Sequence, residues 1–341
     1  MTSDQKVTPT TQEPPPPARR RRSVLSGKSL EALALPIAWV VVIVIFGILR
    51  PGTFLSSANF ASILASQAVL VVVSLALVIV LTAGDYDLSV ASVVGLSANL
   101  IAILNVNYGL PVLVAILVAL AAGLVVGVLN GLFVVLVQID SLIVTLGMST
   151  FVSGIVLWIT GSNTLSGISN DLVRPVIVWR FAGVPFEFYY ALAIALVVWY
   201  VFRYTPLGRR LLVVGRSREV ARLSGVPVGA VRWGALAVSG VIAAFGGVLY
   251  AGTSGAAGPT SGLELLLPAF AAAFLGATTI NPGRFNPWGT VIAVYFLVTG
   301  ITGLQLLGAQ SYVQNIFYGA ALVLAVSFSQ IVRRRRAARA E

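Results

Sequence analysis

Long stretches of this chain carry no charged side chain. Residues 51–84, 88–139, 141–170, 233–263 and 285–332 contain no Lys, Arg, Asp or Glu. A helix of about 20 apolar residues crosses the hydrocarbon core of a bilayer. Several of these windows therefore hold one span, and some hold two. Backbone amides and carbonyls find no water inside a bilayer, which restricts spanning segments to helices or a closed barrel. The windows are continuously apolar, without the alternation of barrel strands, and so predict helices. Only 10% of the 341 residues are charged, too few to cover a soluble surface. The expected fold class is an all-α polytopic membrane protein.

Ten spans are predicted: 32–49, 61–84, 88–104, 110–137, 141–161, 188–202, 233–252, 263–280, one ending near 304, and 312–331. The 110–137 stretch is long enough to contain a broken helix. Residues 1–31 read as a disordered, basic, Pro-rich tail, and 332–341 as a second basic tail. Between them, 32–331 form the membrane domain, with the basic loop 203–232 set inside it. Many spans follow 32–49 and no small-residue cleavage site trails it, so it reads as an uncleaved first span rather than a signal peptide.

Charge fixes the orientation. With an even number of spans and the N-terminus inside, only Arg50, Arg174 and Arg180 of the 22 Lys and Arg fall outside. Seven Arg cluster in 203–232. The positive-inside rule then places both termini and that loop on the cytoplasmic side of the membrane. The net charge of +11 is thereby topology rather than a nucleic-acid surface.

The chain has no Cys and no His. Disulfides, thiol nucleophiles and the commonest zinc ligand are excluded. No GxxxxGK[ST] loop is present. No catalytic, metal or cofactor residues are assigned, and if ATP drives this protein another chain hydrolyses it.

Four features invite a function. The loop FRYTPLGRRLLVVGRSREVARLSGVPVGAVRW holds Gly-Arg pairs at Gly208–Arg209 and Gly215–Arg216. An Arg/Glu-rich helix near Ser217–Leu223 follows, with Arg218, Glu219, Ala221 and Arg222 on it. Ser224, Gly225 and Pro227 then stop it. Such order suits a docking helix for a soluble partner better than a solvated basic tether. Asp85 and Asp87 flank a helix start, and Ser89, Ser92, Gly95 and Asn99, at steps of three and four, lie near one helical face too polar for lipid. They either cap the helix and pack or line a path. Glu264, near the outer end of the eighth span, either caps that span or meets an external partner. Gly123, Gly127 and Gly131 form a row that suits tight helix packing, or a hinge or pore-lining groove.

Several stretches resemble the permease family of ribose-, xylose-, arabinose- and galactose-type bacterial ABC sugar importers. LVIVLTAGDYDLSVASVVGLSANL (77–100) is similar to the family's Gly-Gly-Ile-Asp-Leu-Ser-Val-Gly-Ser pattern, with Asp85 inserted and Ala91 in place of Gly. GVLNGLFVVLVQIDSLIVTLGMSTFVSGIVLWITG (127–161) resembles its Asn-Gly and Thr-Leu-Gly stretch. TPLGRRLLVVGRSREVARLSGVPV (205–228) resembles its cytoplasmic coupling loop, with Val214 for Ala and Ser217 for Asn. LLLPAFAAAFLGATTINPGRFNPWGTVIAVYFL (265–297) resembles its Gly-rich segment, with Ala277 and Asn281-Pro282 replacing Gly.

The resemblance implies a second permease copy or paralogue and a cytoplasmic ABC ATPase that carries ATP and Mg. It also implies a periplasmic or lipid-anchored solute-binding protein, a small sugar or polyol as cargo, and alternating access between them. The rival reading is an ion-coupled secondary transporter, whose intramembrane charge pairs are not visible in the sequence.

Overall fold

The computed structural model describes residues 27–337 and the side chains of residues 32–327. Residues 1–26 of the tail expected to be disordered, and residues 338–341 of the basic C-terminal tail, lie outside the described residues. The long helices are α1 (Gly27–Leu49), α2 (Ser57–Ser66), α3 (Ala68–Thr82), α4 (Val90–Ala102), α5 (Val112–Gly131) and α6 (Ser141–Thr160). They continue with α7 (Phe186–Tyr204), α8 (Pro206–Arg216), α9 (Arg218–Leu223), α10 (Val228–Ser254), α11 (Leu266–Gly276), α12 (Pro287–Leu306) and α13 (Tyr312–Ala337). Single turns at Pro51–Phe54 and Asn170–Val173, and π turns at Ile103–Asn107, Leu132–Leu136 and Arg174–Val178, fill the connections.

Among the described residues, strand structure is confined to two ladders of two residues per strand: β1 (Leu165–Ser166) on β4 (Ala256–Ala257), and the hairpin β2 (Arg180–Phe181) with β3 (Val184–Pro185).

Among the described residues, eight helices are long and apolar enough to cross a membrane: Ala32–Leu49, Ser57–Thr82, Val90–Asn107, Val112–Leu136, Ser141–Thr160, Phe186–Tyr204, Val228–Ser254 and Pro287–Leu306. Two of the ten expected spans are shorter as apolar helices, Leu263–Gly276 and Tyr312–Ser327. The 11 residues of α11 rise about 16 Å, roughly half the hydrocarbon thickness.

Helix α3 explains the centre of the bundle. Its sequence AVLVVVSLALVIVLT is apolar all round, and every residue from Ala68 to Thr82 is buried. Helix α10 packs on α3, α4 and α5. Its contact with α5 depends on the glycine row. A Cβ on Gly123 would lie 2.5 Å from the Gly240 carbonyl oxygen, and Gly131 lies against the Trp233 ring. The row thus serves close packing. The break in the helical pattern falls at Gln67, between α2 and α3, where φ and ψ are −102° and 4°. The 110–137 stretch holds the continuous helix α5 and a terminal π turn instead.

Candidate functional site: a coupling segment and a polar cavity

The turn between α3 and α4 is the most polar buried place in the described structure. Asp85 and Asp87 are each 1% exposed. Asp87 Oδ1 accepts from the Ser89 amide at 3.0 Å and the Ser89 hydroxyl at 2.6 Å, and Oδ2 accepts from Ser239 Oγ at 2.9 Å. The Asn130 amide donates to Ser89 Oγ at 2.8 Å. The turn's own amides are satisfied by α6: Tyr86 donates to Ser141 Oγ and Leu88 to Thr145 Oγ1, both at 3.0 Å. Buried polar groups are costly unless paired, and here α4, α5, α6 and α10 all supply partners. Burial raises the Asp87 carboxyl above its ordinary value, and the hydrogen bonds from Ser89 and Ser239 oppose that rise.

Asp85 faces the basic segment. Arg232 grips it with two nitrogens, Nε to Oδ2 and Nη2 to Oδ1, both at 2.7 Å. Arg218 Nη2 reaches Asp85 Oδ1 at 3.0 Å and the Gly84 carbonyl at 2.9 Å. In the sequence Asp85 stands out only as a flank of a helix start and a departure from a family pattern. The signal for its role is a lone acid bordering an apolar window, in a chain whose basic loop has a single acid, Glu219.

The loop 203–232 folds into two helices, where one was expected. Thr205 caps α8 by accepting from the Gly208 amide at 3.4 Å, and Pro206 occupies the first turn. Ser217 caps α9 by accepting from the Val220 amide at 3.3 Å, so the short helix stands at Arg218–Leu223 as its pattern predicts. Gly225, at φ +74°, follows its end. Gly208 is buried against the Phe202 backbone, while Gly215 abuts Thr82 and Gly84. Ala221 is buried with Val214 and Val228. Arg209, Arg216, Glu219, Arg222 and Ser224 are exposed. Val220 and Leu223 also face outward, Leu223 at 83% exposure.

Of the sequence-selected polar face, Ser89 and Asp87 belong to the buried turn. Ser92 donates to the Ser89 carbonyl at 2.8 Å. Asn99 donates to the carbonyls of Gly95 and Gly258, both at 2.8 Å, and so holds the loop after α10. All four are buried between packed elements.

At the other end of the bundle lies a cavity of about 850 Å³. Its polar lining includes Ser66, Gln67, Thr253, Thr302, Gln305 and Gln314, and Glu264 stands exposed in its wall. Sequence reasoning missed these residues because they come from separate helices, α2, α10, α12 and α13, and converge only in the fold. It also missed Glu187, buried at the start of α7, which accepts from Thr253 Oγ1 at 2.6 Å. A second cavity of about 580 Å³ lies beside the basic segment, lined by Thr82, Asp85, Gly215, Phe274, Arg284 and Val326 among others. Helices α3, α11 and α13 contribute to both cavities. Among the described residues, no cluster of three or more His, Cys, Asp or Glu is placed to hold a metal.

A helical bundle with a capped basic segment at one end and a polar cavity at the other defines a membrane transport subunit. The family described as branched-chain amino acid transport system / permease component matches residues 59–326, and the chain belongs to it.

Relatives at this level include the ribose import permease protein RbsC of Escherichia coli (strain K12), 31% identical over 85% of this chain and 91% of its own. The D-allose transport system permease protein AlsC of the same organism is 28% identical over 86% and 89%. The autoinducer 2 import system permease protein LsrD of Photorhabdus laumondii is 28% identical over 86% and 89%. No solved structure matches.

The chain is a multi-pass inner-membrane protein, the permease subunit of a sugar-type ABC importer. It is not the catalytic subunit: ATP and its magnesium belong to a separate ATPase. It works within an import system that also contains a solute-binding protein.

Proposed function

We propose that this permease carries a monosaccharide or small polyol inward by alternating access, with ten helices in the membrane and both termini in the cytoplasm. The count of ten includes the two short apolar helices, Leu263–Gly276 and Tyr312–Ser327. The observation that carries the reading is that one set of helices, α3, α11 and α13, borders a cavity at each end of the bundle. A path that opens alternately to either side needs walls shared in this way, with two packings biased by a partner.

In this reading the basic stretches 1–31, 203–232 and 332–341 face the cytoplasm. The segment from Gly208 to Gly225 docks the ATPase through its exposed Arg209, Arg216, Arg222, Val220 and Leu223. The larger cavity opens to the outside and receives cargo from the binding protein, which Glu264 helps to seat. Its amides and hydroxyls suit a polyhydroxylated solute, and a cavity of about 850 Å³ has room for one. Such a polar surface is expensive against lipid, so a second permease, a copy or a paralogue, covers its open side. Asp87, Ser89, Ser92 and Asn99 bound the path from behind, holding α4 in place.

The test is ATP hydrolysis by the permease assembled with its ATPase and binding protein, across a panel of pentoses, hexoses and polyols. Stimulation by a binding protein loaded with one of them names the cargo. Stimulation by amino acids alone would overturn the sugar reading.

A further inference from the structure

The segment that meets the ATPase must pass its movement to helices that border the path. Beyond the covalent chain, the two are joined by the apolar packing of Leu211, Val214 and Ala221 and by the polar contacts of Arg218. We propose that Asp85 and Arg218 are positioning residues for transport: their ion pair opens and closes with the cycle, while the Asp85–Arg232 pair stays closed. This rests on the coupling role given above to the segment from Gly208 to Gly225.

The three residues are built differently. Arg232 stands in the second turn of α10, its side chain is 14% exposed, and it holds both oxygens of Asp85. Two-pronged, shielded pairs of this kind are strong. Arg218 opens α9, its side chain is 48% exposed, and it holds Asp85 through one nitrogen. Exposed single contacts are weak and readily exchanged for water.

The presence of Arg232 is what frees Arg218 to leave. A buried carboxylate stripped of its only cation would be strongly destabilising. With Arg232 in place, Asp85 remains paired whether or not Arg218 is bound.

The geometry also says what the pair transmits. The turn that carries Asp85 is fixed to α10 at two heights, through Arg232 and through Asp87 with Ser239. Those positions are seven residues apart, about 10 Å along the helix. The turn also ends α3, whose first residues border the outer cavity, and Asp85 itself lines the inner one. Arg218 additionally holds the Gly84 carbonyl. Gly84 sits at φ +80°, and a Cβ there would lie 3.3 Å from Gly215 Cα. The backbones of the turn and of the α8 end therefore touch directly beside the ion pair. A displacement of α9 would break a weak contact on its own side and leave a rigid unit of turn, α3 and α10 on the other.

The experiment uses the whole transporter in lipid and reads one ratio: ATP hydrolysis with loaded binding protein over hydrolysis without it. Arg218→Gln is expected to lower that ratio by about five-fold or more, with the permease's melting temperature and its yield in the complex unchanged. Arg218→Lys should restore part of the ratio. Arg232→Gln, which breaks the pair that stays closed and leaves Asp85 buried beside Arg218 alone, should instead lower the permease's melting temperature.

An Arg218→Gln ratio equal to wild type, or an Arg232→Gln permease that melts like wild type, would overturn the proposal while leaving the coupling role standing. A wild-type complex that no loaded binding protein stimulates would sink both together.

Discussion

Gly127 meets Leu236 backbone to backbone: a Cβ built on this glycine would lie 2.5 Å from the Leu236 carbonyl oxygen and 2.9 Å from Ala237 Cα. Helix α5 thus has no room for a side chain on the face it turns to α10. Within a bilayer there is no water to expel, so close contact between helices is a principal source of their association. Gly127→Val must push α5 outward or strain the side chain. Overpacking of this kind typically costs about 1–3 kcal/mol. The expected result is a lower melting temperature for the purified permease, followed by size exclusion after heating in detergent. Around Gly147, by contrast, no atom lies within 4 Å of where a Cβ would sit. In that open helical site, Gly147→Ala should raise stability by roughly 0.5–1 kcal/mol.

Much of the fold was legible because charge-free windows are a one-dimensional signal. α1 through α7 fall where the apolar runs do. The short helices were harder: LLPAFAAAFLG of α11 is as apolar as several of the spans, yet it is ended at Gly276 by a turn in which Asn286 donates to the Gly276 and Thr279 carbonyls. The α9 helix could be read because Ser217 and Gly225 are local start and stop signals. The Asp85 ion pairs could not, since they join residues 133 and 147 positions apart. The outer cavity was hidden for the same reason: Gln67, Thr302 and Gln314 converge only after three helices have packed.

Ser239 gives Asp87 its one hydrogen bond from α10. Ser239→Ala removes a donor from a buried carboxylate that retains only the two groups of Ser89. A hydrogen bond to a charged group contributes about 1.5–3 kcal/mol, and that is the expected loss of stability. Asp87→Asn should cost less than Asp87→Ala, because the amide still accepts from Ser89 while the alanine leaves the hydroxyls of Ser89 and Ser239 without their acceptor. Thermal melts of the three variants in one detergent check the order.

Leu223 exposes 83% of its surface and Val220 57%, on a helix only six residues long. Neither supports the permease's own core. Leu223→Ser should therefore leave the permease's melting temperature within error of wild type, yet weaken its hold on the ATPase. An apolar anchor at the centre of an interface contributes about 2 kcal/mol or more, which is roughly thirty-fold in affinity. Co-purification at graded ATPase concentration measures it. A Leu223→Ser permease that binds its ATPase as tightly as wild type would remove α9 from the interface.

Gln67 stands at the one break between α2 and α3, and its side chain lines the outer cavity together with Gln305 and Gln314. A sugar entering this space exchanges its water shell for such amides. The exchange must be close to neutral, since cargo held too firmly does not leave. Gln305→Leu and Gln314→Leu each withdraw a hydrogen-bonding partner of that kind without touching the coupling segment. One neutral hydrogen bond contributes about 0.5–1.5 kcal/mol net, so each change should slow uptake about three- to ten-fold. Stimulation of ATP hydrolysis by the loaded binding protein should persist, because the ATPase contacts lie at the opposite end of the bundle. Parallel uptake and hydrolysis assays in the same proteoliposomes separate the two. Equal losses in both would mean that the cavity acts on coupling rather than on passage of the cargo.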